Sequence, residues 1–341
     1  MRFITSVKKI IHLLEEWLQL RQIQYLFISV IVLVTLVCIL QPEWSVLKML
    51  SMQTVLILLA WLAAGVMFLM LRSTRLAFVS LFSCALLCLF LKNASNISLA
   101  GPRPLLDDDV KFSVGHFNLS YIQDDLEECL ELIKKYDRDI LIFQEYTPRF
   151  RDEIRSFFDT LYSDCVEYVR ADDYGQIIFS KFPITERDTF EILDFPFLKI
   201  RANIHNGSPL HVVSQYSHPP ITDSLKLENR KFLDRLSDYI SGIYEPLIVA
   251  GTFNYVSWDN QMVRFRYESN LHDSRKYYFP SITQGSKSIF STPIDHIFYN
   301  DYLECIQFKN IEDDKNTRIG IRGRYQINPN EKIFTSTFEE H

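Results

Sequence analysis

Three uncharged apolar runs open the chain: YLFISVIVLVTLVCIL from Tyr25, TVLILLAWLAAGVMFLML from Thr54 and LAFVSLFSCALLCLFL from Leu76. Each is apolar all round a helix and close to the roughly 17 to 25 residues that cross a bilayer core. They predict three transmembrane helices at about residues 25–40, 54–71 and 76–91. A cleavable signal peptide is the alternative for the first run, but no small-residue cleavage pattern follows it and two more spans come after. Arg2, Lys8, Lys9 and Arg21 precede the first run, and Arg72 with Arg75 joins the second to the third; between the first two lie only Lys48 and Glu43. Short loops rich in Lys and Arg stay in the cytoplasm, so the N-terminus is expected inside and everything after Lys92 outside.

Beyond Lys92 the pattern changes. NASNISLAGPRPLLDDD, from Asn93, is polar with Gly and Pro, as a linker is. This sets a membrane region with its linker at 1–104 and a folded domain at 105–341, whose first strand begins near Val110. There KFSVGHFNLS and DILIFQEYTP read as strands, and DDLEECLELIKKY and RDEIRSFFDTLY as amphipathic helices. Later come the strand-like GQIIFSKFPI, FLKIRANI, PLHVVSQYSH, PLIVAGTFN and PIDHIFYN, with one long amphipathic helix at 225–243. The pattern is that of a mixed α/β domain of roughly 230 residues with its polar residues gathered at strand ends.

Charge narrows the partners. Residues 105–341 carry 27 Lys and Arg against 39 Asp and Glu, a net charge of minus twelve. A protein that binds nucleic acid through phosphates presents a basic face, so this balance argues against DNA or RNA while leaving room for a local basic groove. Cys38, Cys84 and Cys88 fall in the spans, and Cys129, Cys165 and Cys305 lie at no metal-ligand spacing. They read as small hydrophobes.

The strand ends offer Asn118, Glu145, His218, Thr252 with Asn254, and Asp295. Taken singly, each has a structural reading: Asn118 as a turn residue, His218 as the start of a loop, Asp295 as a buried acid with a structural partner. Glu145 ends the apolar run ILIF, where a carboxylate needs a partner or a metal.

Together, and in order, FNLS, IFQEY, IIFSKFPI, VVSQYSHPP, AGTFN and PIDHIF resemble the endonuclease/exonuclease/phosphatase superfamily, which includes deoxyribonucleases, apurinic-site nucleases, sphingomyelinases and inositol-phosphate phosphatases. The HPP, the following NRKFLDRL helix and Trp258 look most like its bacterial membrane-anchored branch. The resemblance covers about residues 110–327 and implies a four-layer sandwich: two packed, mainly antiparallel sheets flanked by helices. It implies that Asn118 and Glu145 hold a divalent metal, Mg²⁺ or Mn²⁺, that His218 and Asn254 contact phosphate or orient water, and that Asp295 pairs with a histidine of a final motif. The implied partner is a phosphate ester or phospholipid headgroup; whether a protein also binds stays open.

Two departures weaken that chemistry. The family's GDFN aspartate is Thr252 here, and its hydroxyl is no base near neutral pH. The final SDH motif aligns with RGRYQI, putting Gly323 for the aspartate and Arg324 for the histidine. His272 with Asp273 is another candidate pair, His205 and His211 read as surface residues, and after Ile297 the only histidine is His341. Two functions stay open: a hydrolase with an impaired site, or a non-catalytic protein that binds a phosphate-bearing ligand or a partner protein in the same cleft.

Overall fold

The computed structural model describes residues 15–94, 111–122, 125–204, 207–276, 281–282, 290–314 and 317–328. Arg2, Lys8, Lys9, most of the expected linker, His205 and His341 lie outside the described residues. The chain divides into two units, residues 1–95 with Trp258–Asn260, and the remainder.

The N-terminal unit contains α1 (Arg21–Leu40), α2 (Ser45–Met52), α3 (Thr54–Met70) and α4 (Thr74–Ala94). α1 and α4 are long and apolar enough to cross a membrane; α2 and α3, bent by 66° at their junction, make a third span if counted as one. The expected spans at 25–40 and 76–91 fall inside α1 and α4, and the one at 54–71 coincides with α3 but for its last residue. Where lipid offers no hydrogen bonds, polar groups must satisfy one another. Thr35 Oγ1 donates to Ile31 O at 2.7 Å and accepts from Trp61 Nε1 at 3.2 Å. Gly65 brings α3 close to α4, since a Cβ there would lie 2.6 Å from the Leu81 side chain.

The second unit holds β1 (Lys111–Asn118), α5 (Leu126–Lys135), β2 (Ile140–Gln144), α6 (Pro148–Phe158), β3 (Asp164–Tyr168) and β4 (Gln176–Ser180). β5 (Ile184–Ile192), β6 (Phe195–Asn203), β7 (Pro209–Tyr216), α7 (Asp223–Ser241), β8 (Leu247–Thr252), α8 (Asn260–Glu268) and β9 (Leu271–Asp273) follow. A short ribbon of β10 (Ser281–Ile282) and β11 (Phe290–Ser291) precedes β12 (Asp295–Asn300), β13 (Leu303–Glu312) and β14 (Arg318–Ile327). One six-stranded sheet has the order β13-β14-β1-β2-β4-β3 and the other β5-β6-β7-β8-β12-β9. Each has one parallel pair, β1 with β2 and β7 with β8, and is otherwise antiparallel.

Alternation along the strands explains the layers. In β2, Ile140 and Ile142 face the core between the sheets, with Val114, Ile200, Val212 and Ile248, while Leu141 and Phe143 face α5 and α6. In β8, Ile248 and Ala250 point inward, and Leu247 and Val249 meet α7 and α8. The result is helices, sheet, sheet, helices, the four-layer α/β sandwich expected. Parallel neighbours need a crossover, and α5 and α7 supply the two. The chain therefore leaves β1, β2, β7 and β8 by their carboxyl ends, where polar residues can escape burial in the sheets.

The cysteines behave as small side chains. All six are free; Cys129 and Cys305 are buried in the domain and Cys165 is partly so.

Candidate active site

Asn118 ends β1, Glu145 follows β2, His218 follows β7, Thr252 ends β8 and Asn254 follows it, and Asp295 begins β12. The register places Thr252 directly opposite Asp295. Close approach of the strands beneath them depends on Gly251, whose Cβ would lie 1.8 Å from Gln215 O. Gln144 ties the floor across the sheets: its Nε2 donates to Gln215 O at 2.5 Å and its Oε1 accepts from Thr252 N at 2.8 Å. That fixes the amide orientation, so His116 Nε2, 3.0 Å from the same oxygen, is the protonated ring nitrogen. Burial lowers the His116 pKa, which suits this neutral form.

A chain of hydrogen bonds crosses the cleft. Asn118 Nδ2 donates to Glu145 Oε1 at 2.8 Å and lies 3.3 Å from Thr252 Oγ1. The Thr252 hydroxyl donates to Asp295 Oδ1 at 2.9 Å, and Arg318 Nη2 donates to Asp295 Oδ2 at 2.9 Å. Both members of that ion pair are buried, with side chains 4% and 2% exposed. Tyr121 stands beside them, its hydroxyl 3.5 Å from Asp295 Oδ1 and its ring 5.9 Å from Arg318 Cζ. Burial first, and then the Asp295 charge, raises the Tyr121 pKa well above its ordinary value.

Glu145 lies at the more open side. Burial raises its carboxyl pKa and the nearby Asp173 charge adds to this, against the opposing hydrogen bonds from Asn118, Ser120 and Tyr216. Glu145 and Asn254 both adopt φ of 57°, the left-handed region. Asn tolerates it, whereas Glu is held there at a cost that surrounding contacts must offset. Asn254 Nδ2 donates to Ser217 O at 2.6 Å. The His218 ring packs against Tyr174, Tyr216 and Phe195, with centroids 4.7, 6.1 and 6.2 Å away.

Of the residues singled out in the sequence, Asn118, Glu145, Thr252 and Asp295 share one hydrogen-bonded network, and His218 and Asn254 stand on the adjoining loops. Gly323 and Arg324 do not reach it. They lie inside β14, opposite Val114 and Ser113, and Arg324 is six residues, about 20 Å of strand, from Arg318. Gly323 has a packing reason of its own, since a Cβ there would lie 2.0 Å from Tyr325 Oη. Arg318, Tyr121 and Ser120 are the site residues that sequence reasoning missed. The other candidate pair points two ways: His272 binds Asp301 at the surface, and Asp273 is buried with Ser257 and His296. Burial alone would raise Asp273, but the hydrogen bond and charge of His296 hold it at about 2. His211 is more buried than a surface residue, paired with Glu245 at 2.6 Å.

The model of the Endonuclease/Exonuclease/phosphatase family matches residues 115–311, more than half of the chain and all of the strand ends just described. The chain belongs to this family. Among solved structures, the family is represented by a protein of Beutenbergia cavernae, at 12% identity over 64% of this chain and 72% of that one, TM-score 0.53. A mannosyl-6-phosphatase of Bacteroides thetaiotaomicron aligns at 16% identity over 64% and 99%, TM-score 0.51. ANGEL2, a 2′,3′-cyclic phosphatase, aligns at 15% over 67% and 99%, TM-score 0.52. At these identities the likeness is one of fold. No curated protein matches the sequence.

The family uses divalent metal ions, and the donor set here fits one poorly. Asn118 Oδ1 accepts from Ser120 N and Ser120 Oγ, at 2.9 and 2.7 Å, so the amide turns its N–H, not its oxygen, toward Glu145. Asp295 already carries Arg318, and Thr252 supplies a hydroxyl engaged with Asp295. One carboxylate, Glu145, is left, with the Asp173 charge acting on it; among the described residues no group of three His, Cys, Asp or Glu is placed to hold an ion.

Proposed function

We propose that this protein is a membrane-anchored family member whose cleft binds a ligand without hydrolysing it by the metal-assisted route. The carrying observation is the Asp295 carboxylate, held on one oxygen by the Thr252 hydroxyl and on the other by Arg318. An aspartate so engaged cannot orient a histidine, and a threonine cannot take a proton from water near pH 7. A general base or acid contributes roughly 10²- to 10⁴-fold in rate. Losing both leaves at most a remnant. The ligand class follows from the phosphoesterase fold and from His218 and Asn254 at the rim: a phosphate ester or a lipid headgroup, with nucleic acid disfavoured by the acidic domain.

One observation favours the alternative of residual hydrolysis. Glu145 and Asp173 are close enough for one charge to act on the other, and Mg²⁺ can be held by one or two carboxylates together with substrate phosphate. A single experiment separates the readings. The full chain, in detergent or nanodiscs with Mg²⁺ or Mn²⁺, is assayed on a chromogenic phosphodiester and a phosphomonoester, with Glu145→Ala as control. The expected result is no turnover above the control from folded protein. Metal-dependent turnover abolished by Glu145→Ala would overturn the binding reading and make the protein an enzyme.

A further inference from the structure

The RGR stretch of β14, which does not reach the cleft, builds a different surface. Arg322 stands opposite Gly115 of β1 on one side and opposite Lys309 of β13 on the other. Directly opposed residues of an antiparallel pair share a face, with Cβ atoms about 4.5 to 5.5 Å apart, and like charges there destabilise the pair. Gly115 leaves that face to its neighbours, for a Cβ there would lie 3.0 Å from Phe117 Cε2, 3.1 Å from Leu141 Cδ2 and 3.4 Å from Arg138 Cγ. The stem of Arg138 thus lies within contact of Gly115. Tyr136 collects both guanidinium groups, its ring centroid 4.7 Å from Arg322 Cζ and 5.6 Å from Arg138 Cζ. Phe117, two residues after Gly115, packs in the cluster with α5 and α6, so this is the helix-bearing face of the sheet; Asn118 alternates to the cleft side.

Three cations so placed call for negative charge, and the protein supplies little. Among the described residues no carboxylate lies within 4 Å of Arg138, Arg322 or Lys309. The adjacent acids are engaged elsewhere: Asp137 holds Lys181 at 2.5 Å, and Asp139 accepts from the Ser113 amide and hydroxyl at 2.7 and 2.6 Å. Arg138 Nε is buried with no hydrogen-bond partner. Burial, and then the Arg322 charge, pushes the Arg138 pKa below its ordinary value, and the charges of Asp139 and Asp137 offset this only in part. Lys309 is exposed and the two arginines are partly so, which leaves the cluster open to a solute.

We propose that Arg138 and Arg322, gathered on Tyr136, with Lys309 opposite Arg322, form a binding site for a phosphate-type oxyanion, separate from the family's cleft. Two planar guanidinium forks and one point charge suit a tetrahedral anion. Stacking on Tyr136 limits the freedom the arginines would lose on binding. Three cations match a single phosphate monoester, whereas a nucleic-acid backbone needs a longer row.

The test is binding of inorganic phosphate and glycerol 3-phosphate to the full chain in phosphatidylcholine nanodiscs, by calorimetry and by hydrogen exchange over residues 134–139 and 320–326. The expected result is slower exchange in both segments on adding phosphate, with affinity weakened at least tenfold in Lys309→Gln and in Arg322→Gln and this protection retained in His218→Ala. Lys309→Gln, at an exposed position, preserves the fold if Arg322→Gln does not. A second arm replaces free phosphate by nanodiscs containing phosphatidic acid: protection there identifies a lipid headgroup as the source, and protection by free phosphate alone identifies a soluble ligand. No protection in either arm, or an affinity unchanged in Lys309→Gln, would overturn the proposal.

Discussion

Arg318 and Thr252 hold one carboxylate between them, and the consequences differ for each. Removing Arg318 alone leaves Asp295 buried without its cation, a change that typically costs about 3 to 5 kcal/mol. Replacing both by an acid and an imidazole is more informative. Thr252→Asp with Arg318→His places an acid at the strand end that Asn118 links to Glu145 and gives Asp295 an imidazole to orient. The double variant is expected to hydrolyse a phosphodiester with Mg²⁺ at least 10²-fold faster than wild type, read as initial rates on folded protein. Glu145 makes a second case at this scale. Its carboxyl titrates above the ordinary 4.5 because it is buried, so the folded state binds its proton more tightly than the unfolded state does. Stability is therefore lost as pH rises above 4.5. Glu145→Gln should melt at a higher temperature than wild type near neutral pH, with the difference shrinking as pH falls toward 4.5 and below.

The elements show which features the sequence announces. Polar residues at the carboxyl ends of apolar runs mark Asn118, Glu145 and Thr252, because a parallel pair with a crossover helix must deliver its strand ends to one place, and Asp295 joins them because it opens β12, antiparallel to β8. Arg318 carries no such mark. Its position depends on how β14 slides along β1, a strand about 200 residues earlier, and register between distant strands is fixed by tertiary pairing rather than by local pattern. Gly323 illustrates the opposite error: a glycine in an aligned catalytic position reads as a lost acid, although it makes room for Tyr325. Gly323→Ala should therefore destabilise the domain by roughly 1 to 3 kcal/mol through the clash with that ring, measured by chemical unfolding. Arg324→Ala should leave any cleft binding unchanged. If Arg324→Ala abolished it, the register argument would fail.

For the whole molecule, the apolar helices and the acidic domain carry different information. Helix length and composition give two spans or three, whereas sidedness rests on the few basic residues flanking them. Three spans with Arg72 and Arg75 inside would place the domain outside. A cysteine placed at exposed Tyr244, in a variant whose native cysteines are replaced, is expected to react with a membrane-impermeant maleimide in intact cells. One placed at Arg72 should react only after lysis. The reverse pattern would put the domain in the cytoplasm.

The pairing of β1 with β14 also governs how the chain must be made. β1 leaves the ribosome early, yet one of its two neighbours in the sheet is β14, more than 190 residues later. Until then the backbone of β1 offers an open edge on that side, and the apolar residues of the first sheet wait for β13 and β14 to complete their cover. Long-range pairing of this kind folds slowly and exposes unpaired edges while it waits. A ribosome that stops before Arg318 would release a chain with its helices already made and its sheet unfinished: a product fitted for aggregation or proteolysis, with no half-working form in between.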